Sequence, residues 1–359
     1  MTTDEIAPRR LRQQRIEGEK FERPEEAVAW LGAVQAQDYG GALWGVGLRL
    51  RDASEAGVER AIAERKIVRT WPMRRTLHLV AAGDVRWMLK LCTPRVVAGA
   101  ARRLEQFVGL DESTFTRSKK LFERALGGGR QLTRGAMYET LESAGVPTSD
   151  GRGLHVITRL AQDGFLCFGT REGRQPTFAL LDEWVPASKE LEREEALAEL
   201  ARRYFTSHGP ATLQDFAWWS GLTVADARAG VESARPRLAS ETAGARTYWF
   251  SASAAAGPEG GAAGLHLLPP FDEYIVAYKD RGAVLDPSRT RELNPGNGVF
   301  SPTIVSGGRV VGTWKRALKK GSVVITPAPF APLRKAEARA FKEAARRYGD
   351  FLGLPAATT

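Results

Sequence analysis

The sequence predicts an α+β protein, mainly helical, in which one supersecondary pattern occurs three times ahead of a β-rich C-terminal region and a terminal helix. Three observations lead there. Three helices followed by strand character can be traced over residues 9–103, 111–184 and 192–250. A low-complexity stretch, ASAAAGPEGGAAG, occupies 252–264 and reads as a linker or loop. Beyond it, over 265–330, apolar runs separated by turn signals predict mostly strand. Three helices and then a strand pair is the order of a winged helix. The expected domains are therefore three tandem winged helices, 1–106, 111–190 and 191–251, and a β-rich part with the final helix, 265–359.

In the first repeat, residues 9–17 read as a short helix. Pro24 opens a second, PEEAVAWLGAVQAQD, with acids in the first turn to suit the dipole and Ala27, Leu31 and Val34 at helical spacing. A third helix covers 55–65, and IVRTWPMRRTLHLV has strand character broken by Pro72. Two more helices follow, ending near Gln106.

The second repeat is clearer. STFTRSKKLFERAL is stopped by Gly127-Gly128-Gly129. TRGAMYETLESAG has Thr133 as N-cap and Gly145 as C-cap. GLHVITRLAQDG and a two-stranded LCFGTREGRQPTFAL complete it. In the third, EEALAELARRYFTSHG precedes a helix that Thr212 and Asp215 cap. A helix over 224–235 and a strand RTYWFS follow. The C-terminal strands are LHLLPP, YIVAYKD, a hairpin around Ser306-Gly307-Gly308, and SVVITPAP. KAEARAFKEAARRYGDFLG is the final helix, apolar on one face and basic on the other.

The chain has 359 residues, too many for one ordinary domain, with 43% hydrophobic and 26% charged residues, which fits a folded globular protein. No apolar run of about 18 residues exists. The polar N-terminus lacks a secretory signal's apolar centre, so a cytoplasmic protein is expected. Cys92 and Cys167 are isolated, which fits a reducing compartment, packing roles and no zinc site. No metal or other cofactor is expected.

Net charge is +10 and unevenly spread. Residues 65–103 hold ten Arg/Lys against Asp84, and residues 309–347 hold eleven against Glu337 and Glu343. Such clusters suit a polyanion. An Arg-rich solvated surface is the alternative, and neutralising phosphates is the commoner reason for such clustering. Duplex DNA is the expected partner. No dimerisation heptads are evident, so a monomer without an obligatory protein partner is expected.

Several segments together resemble one family. LGAVQAQDY–GALWGVGLRL, RTWPMRRTLHLV, LLPPFDEYIVAYKDR and VFSPTIV–GGRVVGTWKR follow the order found in the winged-helix AlkZ/YcaQ DNA glycosylases. The resemblance implies a monofunctional glycosylase of base excision repair acting on alkylation damage, interstrand crosslinks included, with its C-terminal strands in a barrel-like part. It also implies a catalytic Gln–apolar–Gln motif in AlkZ-like members and Gln–x–Asp in YcaQ-like ones. Gln35-Ala36-Gln37 stands at the matching place. Alone, such a pair is no more than two amides at a helix end.

Amides are poor bases, so the chemistry must suit them. Nitrogen-7 alkylation makes guanine cationic and a good leaving group that needs little acid help. Two amides could then position water and stabilise an oxocarbenium-like sugar by orientation and dipole. Gln35 and Gln37 do not share one helix face, and meet only if the helix ends there and the chain turns at Tyr39-Gly40-Gly41. Secondary candidates are Asp38, His78, Asp272 and Glu273. His78 reads as a satisfied strand histidine rather than a catalytic one, and Asp272-Glu273 as structural or site-lining rather than the primary catalytic base. For DNA, Trp71, Arg74 and Arg75 could stack or grip phosphate, and the Ser306–Arg309 hairpin with Lys315 and Arg316 could probe a groove. A non-enzymatic winged-helix regulator and an RNA-binding scaffold are the competing functions.

Overall fold

The structure, a computed structural model, describes residues 1–185, 187–254, 264–296 and 298–359. Most of the expected linker thus lies outside the described residues. The protein is α+β, and its chain divides into two compact units, Met1–Arg60 with Leu197–Thr359, and Ala61–Ala196. Among the described residues no helix is long and apolar enough to cross a membrane.

Unit Ala61–Ala196 is the part most legible from local signals. A hairpin, Ile67–Met73 with Thr76–Ala81, precedes helices Val85–Cys92 and Pro94–Arg103. Helices Glu112–Leu126, Arg134–Glu142 and Arg152–Gln162 then lead into the hairpin Leu166–Glu172/Gln175–Leu180. Asp111 caps the first of these three by accepting from Thr114 N–H, and Thr133 caps the second through Ala136 N–H. Phe122, Met137, Ile157 and Phe178 close a common core beneath them. Cys92 and Cys167 are buried, and burial pushes both thiols up, Cys92 to about 12.

The other unit carries a five-stranded sheet. Its order is Ala356–Thr358, Ser322–Pro329, Arg309–Lys319, Thr303–Ser306 and Leu265–Leu268. Only the first pairing is parallel. The terminal helix Lys335–Leu352 buries its apolar face here, with Tyr348 edge-on to Trp314 and Trp44. Helices Arg193–His208, Leu213–Ser220 and Val224–Ala234 are followed by the hairpin Leu238–Ala243/Arg246–Ser251. Thr212 and Asp215 form the expected capping box.

Several expectations need correction. The first helix is Thr3–Gln13, not 9–17, because Thr2 and Glu5 cap it reciprocally. The helix expected over 24–38 stops at Leu31. Gly32 leaves the helical region at φ 79°, ψ −52°, and Val34–Gln35 is extended. The expected turn at Tyr39 is instead the start of a helix, Tyr39–Gly47, which Asp38 caps by accepting from Gly41 N–H. YIVAYKD is not a strand. Asp272 accepts from Tyr274 N–H and opens a helical turn, Glu273–Val276. Residues 265–330 are accordingly not mostly strand, for the described residues between Leu268 and Thr303 form short helices and loops.

Gly32 sets where the helix lets go. A Cβ there would lie 3.4 Å from Trp219 Cη2, in a backbone region that L side chains avoid. Gly32→Ala is expected to destabilise the protein by about 1–3 kcal/mol, read as a lower urea midpoint at unchanged slope. An unmoved midpoint would mean the turn tolerates another conformation.

Candidate active site at the Gln35–Gln37 segment

The base of the site is a guanidinium. Arg49 is fully buried, and all five of its N–H donors have acceptors. Its Nε donates to Gln14 O (3.0 Å). Nη1 donates to Gly45 O (2.6 Å) and Asp272 Oδ2 (3.0 Å). Nη2 donates to Gln14 Oε1 (2.8 Å) and Asp272 Oδ1 (3.0 Å). The pair is bidentate and buried on both sides, so its attraction must offset a large desolvation cost.

That pair anchors the segment Pro269–Val276. Trp44 Nε1 and Trp314 Nε1 donate to Leu267 O and Leu268 O, fixing the strand end before it. Two prolines follow, then Phe271 at φ 61°, a conformation that costs a non-glycine residue about 1–2 kcal/mol. Helix Tyr39–Gly47 turns its small residues this way. A Cβ on Gly41 would sit 3.1 Å from Pro270 Cδ, and one on Gly45 would sit 3.4 Å from Asp272 Oδ2. Glycines four apart share a helix face, so they let helix and segment pack at short range.

Glu273 follows, 1% exposed. Its Oε1 accepts from the Gln35 backbone N–H (2.8 Å) and its Oε2 from Trp219 Nε1 (2.9 Å). His208 Nε2 lies 3.7 Å from Oε2, and burial holds that imidazole below its ordinary pKa. Gln35 is buried at 7% exposure, whereas Gln37 is exposed. Gln35 thus lies on extended chain after the helix, and Gln37 lies at the bend that leads into the next one. Asp38 Oδ1, occupied as a helix cap, is 3.9 Å from Arg316 Nη2. Arg316 also donates to Tyr348 Oη, so it is a neighbour of the motif rather than a free-standing groove probe.

The structure brings together Gln35, Gln37, Asp38, Asp272, Glu273 and Arg316. Both buried carboxylates spend their oxygens on N–H groups of the protein. Lys315 and Arg309 are exposed on the long hairpin strand. His78, Trp71, Arg74 and Arg75 belong to the other unit. His78 is fully buried, with Nδ1 3.0 Å from Thr76 O and Nε2 3.3 Å from Arg74 Nη2, the arrangement of a satisfied strand histidine. Trp71 does not offer its ring to a nucleic acid. It is buried in the core, 5.1 Å from the Phe168 ring centroid. Arg74 and Arg75 form the hairpin turn, both at positive φ (51° and 64°), and Arg75 is exposed. Arg49, Gln14 and Trp219 were missed from sequence. Each acts through a partner more than 30 positions away, and no local pattern marks that.

Removing the anion of a buried pair leaves a stranded charge. Asp272→Asn is expected to cost about 3–5 kcal/mol in denaturant unfolding. A loss below about 1 kcal/mol would place the pair among weakly contributing surface bridges.

A family model described as DNA glycosylase AlkZ-like matches residues 28–351. An interstrand DNA cross-link repair glycosylase of Streptomyces sahachiroi is 28% identical over 349 residues, covering 89% of this chain and 89% of that protein. The solved structure of Streptomyces sahachiroi DNA glycosylase AlkZ aligns over 100% of both chains with a TM-score of 0.82 at 24% identity, a likeness of fold. The chain belongs to the AlkZ-like DNA glycosylase family and is a monofunctional DNA glycosylase.

Proposed function

We propose that the chain hydrolyses the N-glycosidic bond of bulky or cationic alkylated purines in duplex DNA, of the nitrogen-7-alkylguanine type, and unhooks interstrand crosslinks. The observation that carries this reading is the Gln35-Ala36-Gln37 segment, held by its backbone on a carboxylate that is already engaged. An acid is needed to expel a neutral base, and the acids nearest the motif are bound to N–H groups. A cationic base leaves without that help. The amides of Gln35 and Gln37 would orient water and face the developing positive charge on the sugar. The similarity to the interstrand DNA cross-link repair glycosylase of Streptomyces sahachiroi supports the crosslink part.

The helix order and the hairpins at Leu166–Leu180 and Leu238–Ser251 support reading the repeats as three winged helices, with limits at 1–106, 111–190 and 191–251 ahead of 265–359. Arg74, Arg75, Arg309 and Lys315 are the proposed phosphate contacts, with Arg316 assigned to holding Asp38. A monomer in the cytoplasm, working on the nucleoid, is the setting this implies.

Gln37→Ala is expected to slow single-turnover release of 7-methylguanine, after subtraction of spontaneous depurination, by roughly ten- to a thousandfold, about 1.4–4 kcal/mol of barrier. Affinity for the damaged duplex should persist, since the amide acts mainly in the transition state. Gln37→Asp should retain part of the rate. A Gln35→Ala/Gln37→Ala enzyme releasing base at the wild-type rate would remove the motif from the mechanism. Neutralising Arg74 and Arg75 together should flatten the salt dependence of duplex binding by about two units. An unchanged slope would place both arginines off the DNA.

A further inference from the structure

We propose that Glu273 is the positioning residue of the amide pair, set in place by Trp219. The inference rests on the catalytic reading of Gln35 and Gln37 and deepens it.

The geometry is specific. The carboxylate takes the main-chain N–H of Gln35, so it fixes the height and tilt of that strand without using the Gln35 side chain. Its second oxygen is held by the Trp219 indole N–H, so the carboxylate cannot rotate without losing one bond or the other. The same indole packs under the start of the strand, with Cη2 3.4 Å from where a Gly32 Cβ would stand. Trp219 is itself fully buried, and its ring centroid is 5.0 Å from that of Tyr204 and 5.4 Å from that of His208. The preceding residue, Asp272, is locked to Arg49. Glu273 therefore hangs from a fixed backbone and reaches two fixed donors. Errors of about 1 Å in placing a reacting group can cost a hundredfold in rate, which is the scale on which such a clamp matters.

A glutamine tests this without changing the shape. Gln35 N–H and Trp219 Nε1–H are both donors, and the carboxylate has an acceptor for each, with His208 Nε2 3.7 Å from the oxygen that takes the indole. An amide has one acceptor oxygen and an NH2 that must then face a second donor. Glu273→Gln therefore sets Gln35 N–H and Trp219 Nε1–H in competition for one oxygen. Replacing the indole with phenyl removes one competitor. The Glu273→Gln/Trp219→Phe enzyme should regain what Glu273→Gln lost, an interaction between neighbours that a packing role would not produce.

The experiment compares single-turnover release of 7-methylguanine and binding to the same duplex for the wild type, E273Q, W219F and the double variant. E273Q is expected to fall about ten- to a hundredfold in rate with Kd within about twofold, and W219F about threefold. The double variant should be at least about fivefold faster than E273Q. Losses that multiply in the double variant, an unchanged E273Q rate, or Kd weakening in step with rate would each overturn the proposal. If E273Q fails to fold but the double variant folds and excises, the donor conflict is upheld. If neither folds, Glu273 is a core group and the proposal fails. Failure of the catalytic reading itself looks different: wild type and a Gln35→Ala/Gln37→Ala enzyme, run alongside, would then release base equally, whatever the ratios among the Glu273 variants.

Discussion

The site depends first on a charge pair that no solvent reaches. Arg49 and Asp272 come from distant parts of the chain, and each is costly to bury alone. The cost is met because every guanidinium N–H has an acceptor and Asp272 also caps the helical turn it begins. The pair therefore does more than hold two elements together. It fixes the backbone at residue 272, and the next side chain, Glu273, is thereby aimed at the strand that bears the motif. A hydrophobic pair of equal volume could fill the same space, but it would not hold the carboxylate of the following residue in one orientation.

This order of support has a chemical consequence. Many glycoside-cleaving sites use two carboxylates, one to protonate the leaving group and one to activate water or attack the sugar. Here two adjacent carboxylates, Asp272 and Glu273, serve as anchors, and amides stand at the place where chemistry is proposed. Carboxylates so engaged are poorly suited to shuttling protons. On the proposed reading, a site of this kind would suit a leaving group that already carries positive charge and would withhold the acid that undamaged purines need. That consequence follows from placement and hydrogen bonding, and it agrees with membership of a DNA glycosylase family.

What the sequence revealed and what it hid divide along the range of the interactions. Helices Glu112–Leu126 and Leu213–Ser220 were legible because their stops and caps lie within a few residues, at Gly127 and Thr212. The pairing of strands at Ser306–Arg309 was legible from its glycines. The motif's setting was not. Gly32 looked like one more residue of an amphipathic helix, whereas it ends that helix at positive φ against the Trp219 ring, nearly two hundred positions on. YIVAYKD has the composition of a strand, yet Asp272 and its capping bond start it as a helical turn that ends at Val276. Trp71 stood in a basic stretch and suggested stacking on DNA, whereas the core around Phe168 claims it. Gln35, Gln37 and Glu273 were named from a resemblance. The bond joining Gln35 to Glu273 could be seen only in the fold.

The central claim is that the motif strand is as firmly held as the core beneath it, through Glu273. Amide hydrogen exchange at Gln35 reads this directly, because its N–H is the one that Glu273 Oε1 accepts. The account predicts that this amide exchanges only through global opening, with the protection of buried amides in the Leu265–Leu268 strand and the terminal helix. Exchange at the rate of exposed loop amides would show that the bond is transient and that the amide pair is positioned by something else.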